Sequence, residues 1–178
     1  MRNDGVSLIE LLVGISIISI VMISLGFSFQ GWMAKYRIEN QMKELYTDLV
    51  DARTMAMVRN RMHFVVLNAA DYRIYADTDD DANTDIGTGD LPVLQYRLPG
   101  TSNVKPKTVK YNLGWTGTVG FDTRGLAWQY TAPATRVDAA ITVYATLPSG
   151  TETDYDCLLI ASSRIRMGKM AGGSCNAR

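Results

Sequence analysis

The chain is poor in the residues that carry chemistry. Its 178 residues include one histidine, His63, and two cysteines, Cys157 and Cys175. His63 falls in a strand-like run beside Phe64, the setting of a packed or edge imidazole, and two cysteines are too few for a zinc site. Gly-x-Ser-x-Gly, phosphate-loop and dinucleotide-binding glycine patterns are missing, as is any His-rich metal cluster. Acidic residues occur in pairs, but no spacing singles out a general acid and base. A non-enzymatic chain is expected. An excess of one charge is lacking too, since 18 Lys and Arg offset 18 Asp and Glu, so nothing draws the chain in bulk toward nucleic acid. Trp115, Trp128 and Tyr130 suit a sheet core better than a base-stacking platform.

Proline is absent from Ser7 to Arg61. That permits one helix of about 55 residues, on the order of 80 Å at 1.5 Å per residue, with Gly26 and Gly31 each weakening it by roughly 1 kcal/mol. Its first half, Leu11 to Phe29, is uncharged and rich in Ile, Val and Leu, close to the lower limit of about 17 to 25 residues for a bilayer span. Gly14, Ser16, Ser19, Ser24, Gly26 and Ser28 supply small side chains for close helix approach. In the second half Met42, Leu45, Leu49, Ala52 and Ala56 recur at steps of three and four, with Lys43, Glu44, Asp48 and Asp51 between them. The first half suits lipid or sister helices, and the second suits a globular domain.

Glu10 is the only charge between Val6 and Phe29. An intramembrane carboxylate costs about 2.5 to 3.5 kcal/mol by insertion scales. Ahead of it stands a short polar leader, Met1-Arg2-Asn3-Asp4-Gly5, followed by Val6-Ser7-Leu8-Ile9-Glu10. Ordinary secretory signals are cut after the apolar stretch, whereas here the small residue precedes it. The arrangement resembles the class III signal of type IV pilins and type II secretion pseudopilins. That resemblance implies cleavage after Gly5 by a prepilin peptidase and methylation of the new N-terminus at Val6. The family usually has Phe there and a more basic leader. The amine freed at Val6 is largely cationic at neutral pH and lies four residues from Glu10, or can be reached from a neighbouring subunit. At about 4 Å and an effective dielectric near 20, the pair gains roughly 4 kcal/mol before desolvation is subtracted. Alternatively Glu10 snorkels to lipid headgroups. A permanent single-pass anchor, or cleavage after Gly26, is the plainer reading of the same run. Loop charge does not support a cytoplasmic N-terminus, because Arg2 is outnumbered by Lys35, Arg37 and Lys43.

From Met62 the pattern turns to strands, expected at His63–Leu67, Tyr72–Ala76, Val93–Leu98, Val109–Leu113, Thr118–Asp122, Ala127–Tyr130, Ala140–Thr146 and Cys157–Ala161. Asp122-Thr123-Arg124-Gly125 has the composition of a turn, with Gly125 free to take positive φ. The expected fold is α+β, a long N-terminal helix packed on one antiparallel sheet domain. Its divisions are a leader at 1–5, an assembly helix at 6–29, an amphipathic helix at 30–61 and a β-rich domain at 62–178. Gly120-Phe121-Asp122-Thr123-Arg124-Gly125 and Cys157 to Met167 resemble the globular domain of GspH-like pseudopilins and FimT/FimU-like minor pilins. The resemblance implies a subunit stored in the bacterial inner membrane with its globular domain in the periplasm. An ATPase-driven assembly platform would then move it into a pilus or pseudopilus beside other pilins.

Three smaller sites follow. An even cysteine count in an exported chain favours a Cys157–Cys175 disulfide, worth about 3 kcal/mol in the loop-entropy model, the alternative being two free thiols. Some FimT-like relatives bind DNA through a basic C-terminal patch; Arg164 and Arg166 match it, with Lys169 nearby, and Ser163 stands where the family has Gly. Solvated strand arginines or subunit contacts are the competing reading. Removing residues 1–5 takes Arg2 and Asp4 together and leaves 17 charges of each sign, which adds no pull on DNA. Finally, Asp77, Asp79, Asp81, Asn83, Asp85 and Asp90 place oxygen donors at close spacing, so the segment is either a loose Ca²⁺ loop or a solvated acidic one. The missing sixth-position glycine and the lack of an expected long helix on either side argue against an EF-hand. A calcium loop predicts a rise in melting temperature on Ca²⁺ titration that chelator reverses; a flat titration leaves the solvated loop.

Overall fold

The computed structural model describes residues 7–77, 91–92, 107–130, 135–136 and 140–178, with backbone only for 23–30, 91–92, 130 and 135–136. The proline-free stretch forms a single helix, α1, Leu8–Arg59. Its first turn is joined to Ser7, whose carbonyl accepts the N–H groups of Glu10 at 3.0 Å and Leu11 at 3.2 Å. It stops at Asn60, which takes the left-handed conformation (φ 50°) and donates its N–H to the Ala56 carbonyl. The apolar stripe does what its period requires: Met42, Leu45, Leu49, Ala52 and Ala56, joined by Ile38 one turn earlier, are all at most 1% exposed.

Eleven strands follow among the described residues: β1 His63–Leu67, β2 Asp71–Ala76, β3 Leu91–Pro92, β4 Lys107–Thr108, β5 Gly117–Phe121, β6 Ala127–Tyr130, β7 Thr135–Arg136, β8 Ile141–Tyr144, β9 Cys157–Ile160, β10 Ile165–Ala171 and β11 Ser174–Ala177. The class is α+β, but the single expected sheet is two. One runs β3-β2-β1-β5-β6-β7 with β4 also on β2, and the other is the meander β8-β9-β10-β11. Every strand pairing among the described residues is antiparallel; His63, for instance, lies opposite Ala76 on one side and Phe121 on the other. Both sheets turn apolar residues toward α1, so Val65, Val119 and Phe121 from one meet Val143, Leu158 and Ile160 from the other in one core. The N–H of Ala127 on the carbonyl of Ser162, at 2.7 Å, ties the sheets together.

Val109–Leu113 is not a strand. Its backbone donors are diverted: Val109 and Leu113 N–H bond the carbonyls of Ala70 and Ala69, at 2.9 and 2.8 Å, and Tyr111 N–H bonds Gln41 Oε1 at 2.9 Å. Only Leu113 makes a bridge, to Ala145. The expected strand Val93–Leu98 lies outside the described residues. The turn at 122–125 forms as anticipated. Asp122 Oδ1 accepts the N–H groups of Arg124 (3.0 Å) and Leu126 (2.7 Å), and Gly125 adopts φ 75° where a Cβ would lie 2.7 Å from Met57 Sδ.

Cys157 and Cys175 are joined as a disulfide with their Cα atoms 6.0 Å apart. Their strands flank β10, so the bridge crosses it at Gly168, which pairs with Cys157 on one side and Ala177 on the other. A Cβ there would collide with the Asn176 carbonyl oxygen and sit 2.9 Å from Cys175 Sγ. Gly168→Ala is therefore expected to destabilise the oxidised chain by about 2 kcal/mol, in the range of other overpacking changes. Denaturant melts of the two proteins check this, and coincident midpoints would mean that β11 yields without cost.

Candidate functional site on the N-terminal helix

The two halves of α1 differ in what covers them. From Leu8 to Met22 every large apolar side chain is between 50 and 80% exposed, including Leu8, Leu12, Ile17, Ile20 and Met22. Those residues point in all directions around the helix, the pattern of a segment surrounded by lipid or other helices. Ser16 and Ser19 do not spoil it, because each hydroxyl donates to a carbonyl one turn earlier, Leu12 at 2.8 Å and Ile15 at 2.7 Å. A Cβ added at Gly14 would meet no atom within 4 Å beyond its own helical backbone, so its flank is open to close approach. Glu10 is exposed in the first turn of this surface. Gly5 and Val6 lie outside the described residues. No helix among the described residues is long and apolar enough to cross a membrane; the uncharged run of the sequence continues through residues 23–30, whose side chains lie outside that set.

The covered half is clamped by polar contacts at three heights. Nearest the free half, Lys35 Nζ donates to Asp154 Oδ2 at 2.8 Å, while Asp154 N–H donates to Glu39 Oε1 at 3.0 Å. That hydrogen bond raises the Lys35 pKa and lowers that of Asp154. One turn on, the Gln41 amide donates to the Tyr111 carbonyl at 2.7 Å and accepts the Tyr111 N–H, imitating a strand pair. Deeper, the buried carboxylate of Asp48 accepts Tyr72 Oη at 2.5 Å and Lys107 Nζ at 2.6 Å, and Lys107 also meets Glu44 at 2.8 Å. Burial and the Asp48 hydrogen bond hold the Tyr72 hydroxyl far above its ordinary range. For Lys107, burial alone would lower the pKa, but its hydrogen bonds to Asp48 and Glu44 outweigh that and leave it raised.

Arg164 and Arg166 are both exposed with Ile165 half-buried between them, and Lys169 is half-buried on β10. Arg166 shares a shallow cleft of about 420 Å³ with Lys43, Arg178, Tyr46 and Tyr155, whereas Arg164 and Lys169 do not line it. Sequence spacing does not group Lys43 and Arg178 with Arg166: Lys43 arrives through the packing of α1 against β10, and Arg178 through its N–H on the Met167 carbonyl at 3.1 Å. Asp77 is buried at the end of β2, its N–H on the Met62 carbonyl at 3.0 Å. Asp79, Asp81, Asn83, Asp85 and Asp90 lie outside the described residues, and among the described ones no His, Cys, Asp or Glu group could hold a metal ion.

Residues 1–26 match the prokaryotic N-terminal methylation motif. The chain thus carries the type IV pilin-like signal, on the segment that contains Gly5, Val6 and Glu10. No curated protein and no solved structure matches it.

His63 is fully buried, its Nδ1 3.0 Å from the Arg61 carbonyl and its Nε2 without a hydrogen-bond partner. A carbonyl only accepts, so Nδ1 carries the proton of a neutral ring. Burial lowers its pKa below the ordinary 6.5. The unfolded chain then takes up a proton before the folded one does, so stability is intact above about pH 6.5 and falls as pH drops from there toward the folded value. Asp122 adds a second, more acidic loss. Burial opposes its ionisation, but the Leu126 N–H and the Arg124 side chain outweigh that and set its pKa below the ordinary 3.8, so its contribution fades beneath that pH. Melting temperatures between about pH 7 and pH 5 should fall for the parent and flatten for His63→Met. Equal slopes would place the titrating group elsewhere.

Proposed function

We propose that the chain is a minor pilin or pseudopilin, a structural subunit without catalytic activity. It is held in the inner membrane by α1 and assembled through that helix into a type IV pilus or type II secretion pseudopilus. The observation that carries this reading is the methylation motif on a helix whose apolar side chains from Leu8 to Met22 the chain leaves uncovered. Prepilin peptidase would remove residues 1–5, and Glu10 would then meet the α-amine of Val6 in its own or a neighbouring subunit. That pairing offsets the cost of an acid among apolar helices and selects one axial register, because a helix displaced along the bundle leaves the carboxylate alone. The disulfide supports an exported globular domain, since such bonds persist in oxidising compartments.

Mass spectrometry of the native protein should find an N-terminus at methylated Val6. A retained Met1 would instead make the chain a permanent single-pass anchor. Glu10→Gln is expected to leave processing intact and to lower recovery in sheared filaments at least tenfold, the equivalent of about 1.4 kcal/mol of lost pairing. Normal incorporation of that variant would remove Glu10 from assembly.

A further inference from the structure

Trp32 and Tyr36 stand on α1 just before Ile38, the first fully buried side chain of the helix among the described residues. They are 61 and 54% exposed and stack on each other with ring centroids 6.2 Å apart and planes at 17°. Two large aromatics displayed on the outer surface of a helix add nothing to the core that Ile38 opens. Each has an apolar body and a polar tip, the character that concentrates Trp and Tyr at the boundary between hydrocarbon and water. Beside them, the exposed Arg37 has a long stem that can lie along apolar surface while the charge stays wet.

The spacing points to the same surface. Glu10 and Trp32 are 22 residues apart along one continuous helix. At 1.5 Å per residue that is about 33 Å, against a hydrocarbon core of about 30 Å. The first charge of the helix and its aromatic pair thus bracket one bilayer thickness, with modest tilt absorbing the difference. We infer that Trp32 and Tyr36 anchor α1 in the lipid headgroup region on the side of the globular domain, setting the depth at which the subunit waits before assembly. This rests on the reading of the chain as a membrane-stored subunit. It adds a consequence for the domain. The Lys35–Asp154 ion pair and the Asp154 N–H on Glu39 begin within one turn of the aromatics, so the domain is mounted on the membrane surface with no linker between.

Depth-resolved fluorescence quenching tests this on the full chain in phospholipid vesicles. Nitroxide labels are carried either near the headgroup or near the end of the acyl chain. Trp115 and Trp128 are half-buried in the sheet domain, so the Trp32 signal is the difference between the parent and Trp32→Phe, a change at an exposed position that leaves the core intact. The expected result is a quenched component with the headgroup label, lost in Trp32→Phe and weaker with the deep label. Stronger quenching by the deep label would overturn the inference. So would identical quenching of parent and variant while the chain floats with the vesicles; both results leave membrane storage standing. A chain that does not float with vesicles removes this inference and the storage reading together.

Discussion

An apolar surface that its own chain leaves open must be covered by something else, and that constraint governs this molecule. At roughly 25 cal/mol per Å² of apolar area removed from water, each large side chain from Leu8 to Met22 gains on the order of 1 to 2 kcal/mol when enclosed. Summed around a helix, this exceeds the few kcal/mol that Glu10 costs, so one acid is tolerated in an otherwise greasy segment. The same arithmetic explains why a helix can leave lipid for a bundle. Both surroundings satisfy the apolar side chains nearly equally, and the small residues and the single charge are left to decide between them.

The opposite half of α1 is held without ambiguity. Six apolar residues from Ile38 to Ala56 supply the adhesion, and polar contacts supply the register. Sliding α1 by one turn would strip Asp48 of Tyr72 and Lys107 and leave a buried carboxylate unpaired, a penalty of several kcal/mol. It would also part the Gln41 amide from the Tyr111 backbone. Forces that move the globular domain are therefore passed to the covered half of the helix.

These features were unequally legible in the sequence. The helix could be read nearly to its ends because no proline interrupts it and because 3.6-residue periodicity is a local property. Gly125 could be read because a tight turn needs a residue tolerant of positive φ. The division into two sheets could not, since it depends on which distant strands pair. Val109–Leu113 alternates like a strand, yet its N–H groups go to Ala69, Ala70 and Gln41, and no local pattern announces that. Asp48, Tyr72 and Lys107 are separated by 24 and 59 positions, so nothing in their spacing marks them as one cluster. The β10–β11 hairpin has a local signal, since Gly172 and Gly173, at φ 59° and 81°, form a two-residue turn that suits hairpins.

Orientation across the membrane is the point on which two physical arguments disagree. Counting cations places the globular side in the cytoplasm, because Lys35, Arg37 and Lys43 outnumber Arg2. The Cys157–Cys175 disulfide argues for the outside, where thiols are not kept reduced. The proposed reading follows the second argument. Gly168 lies beneath the bridge, where a Cβ would meet the Asn176 carbonyl first and Cys175 Sγ next, so β11 and the disulfide both crowd β10 at that point. A cation bias, by contrast, is a statistical preference that a dedicated leader recognised at the cytoplasmic face can override. The methylation motif and the disulfide lie at opposite ends of the chain, and on the proposed reading the three cations beyond the apolar run of α1 serve as contacts for Asp154, for the cleft beside Arg166 and for headgroups.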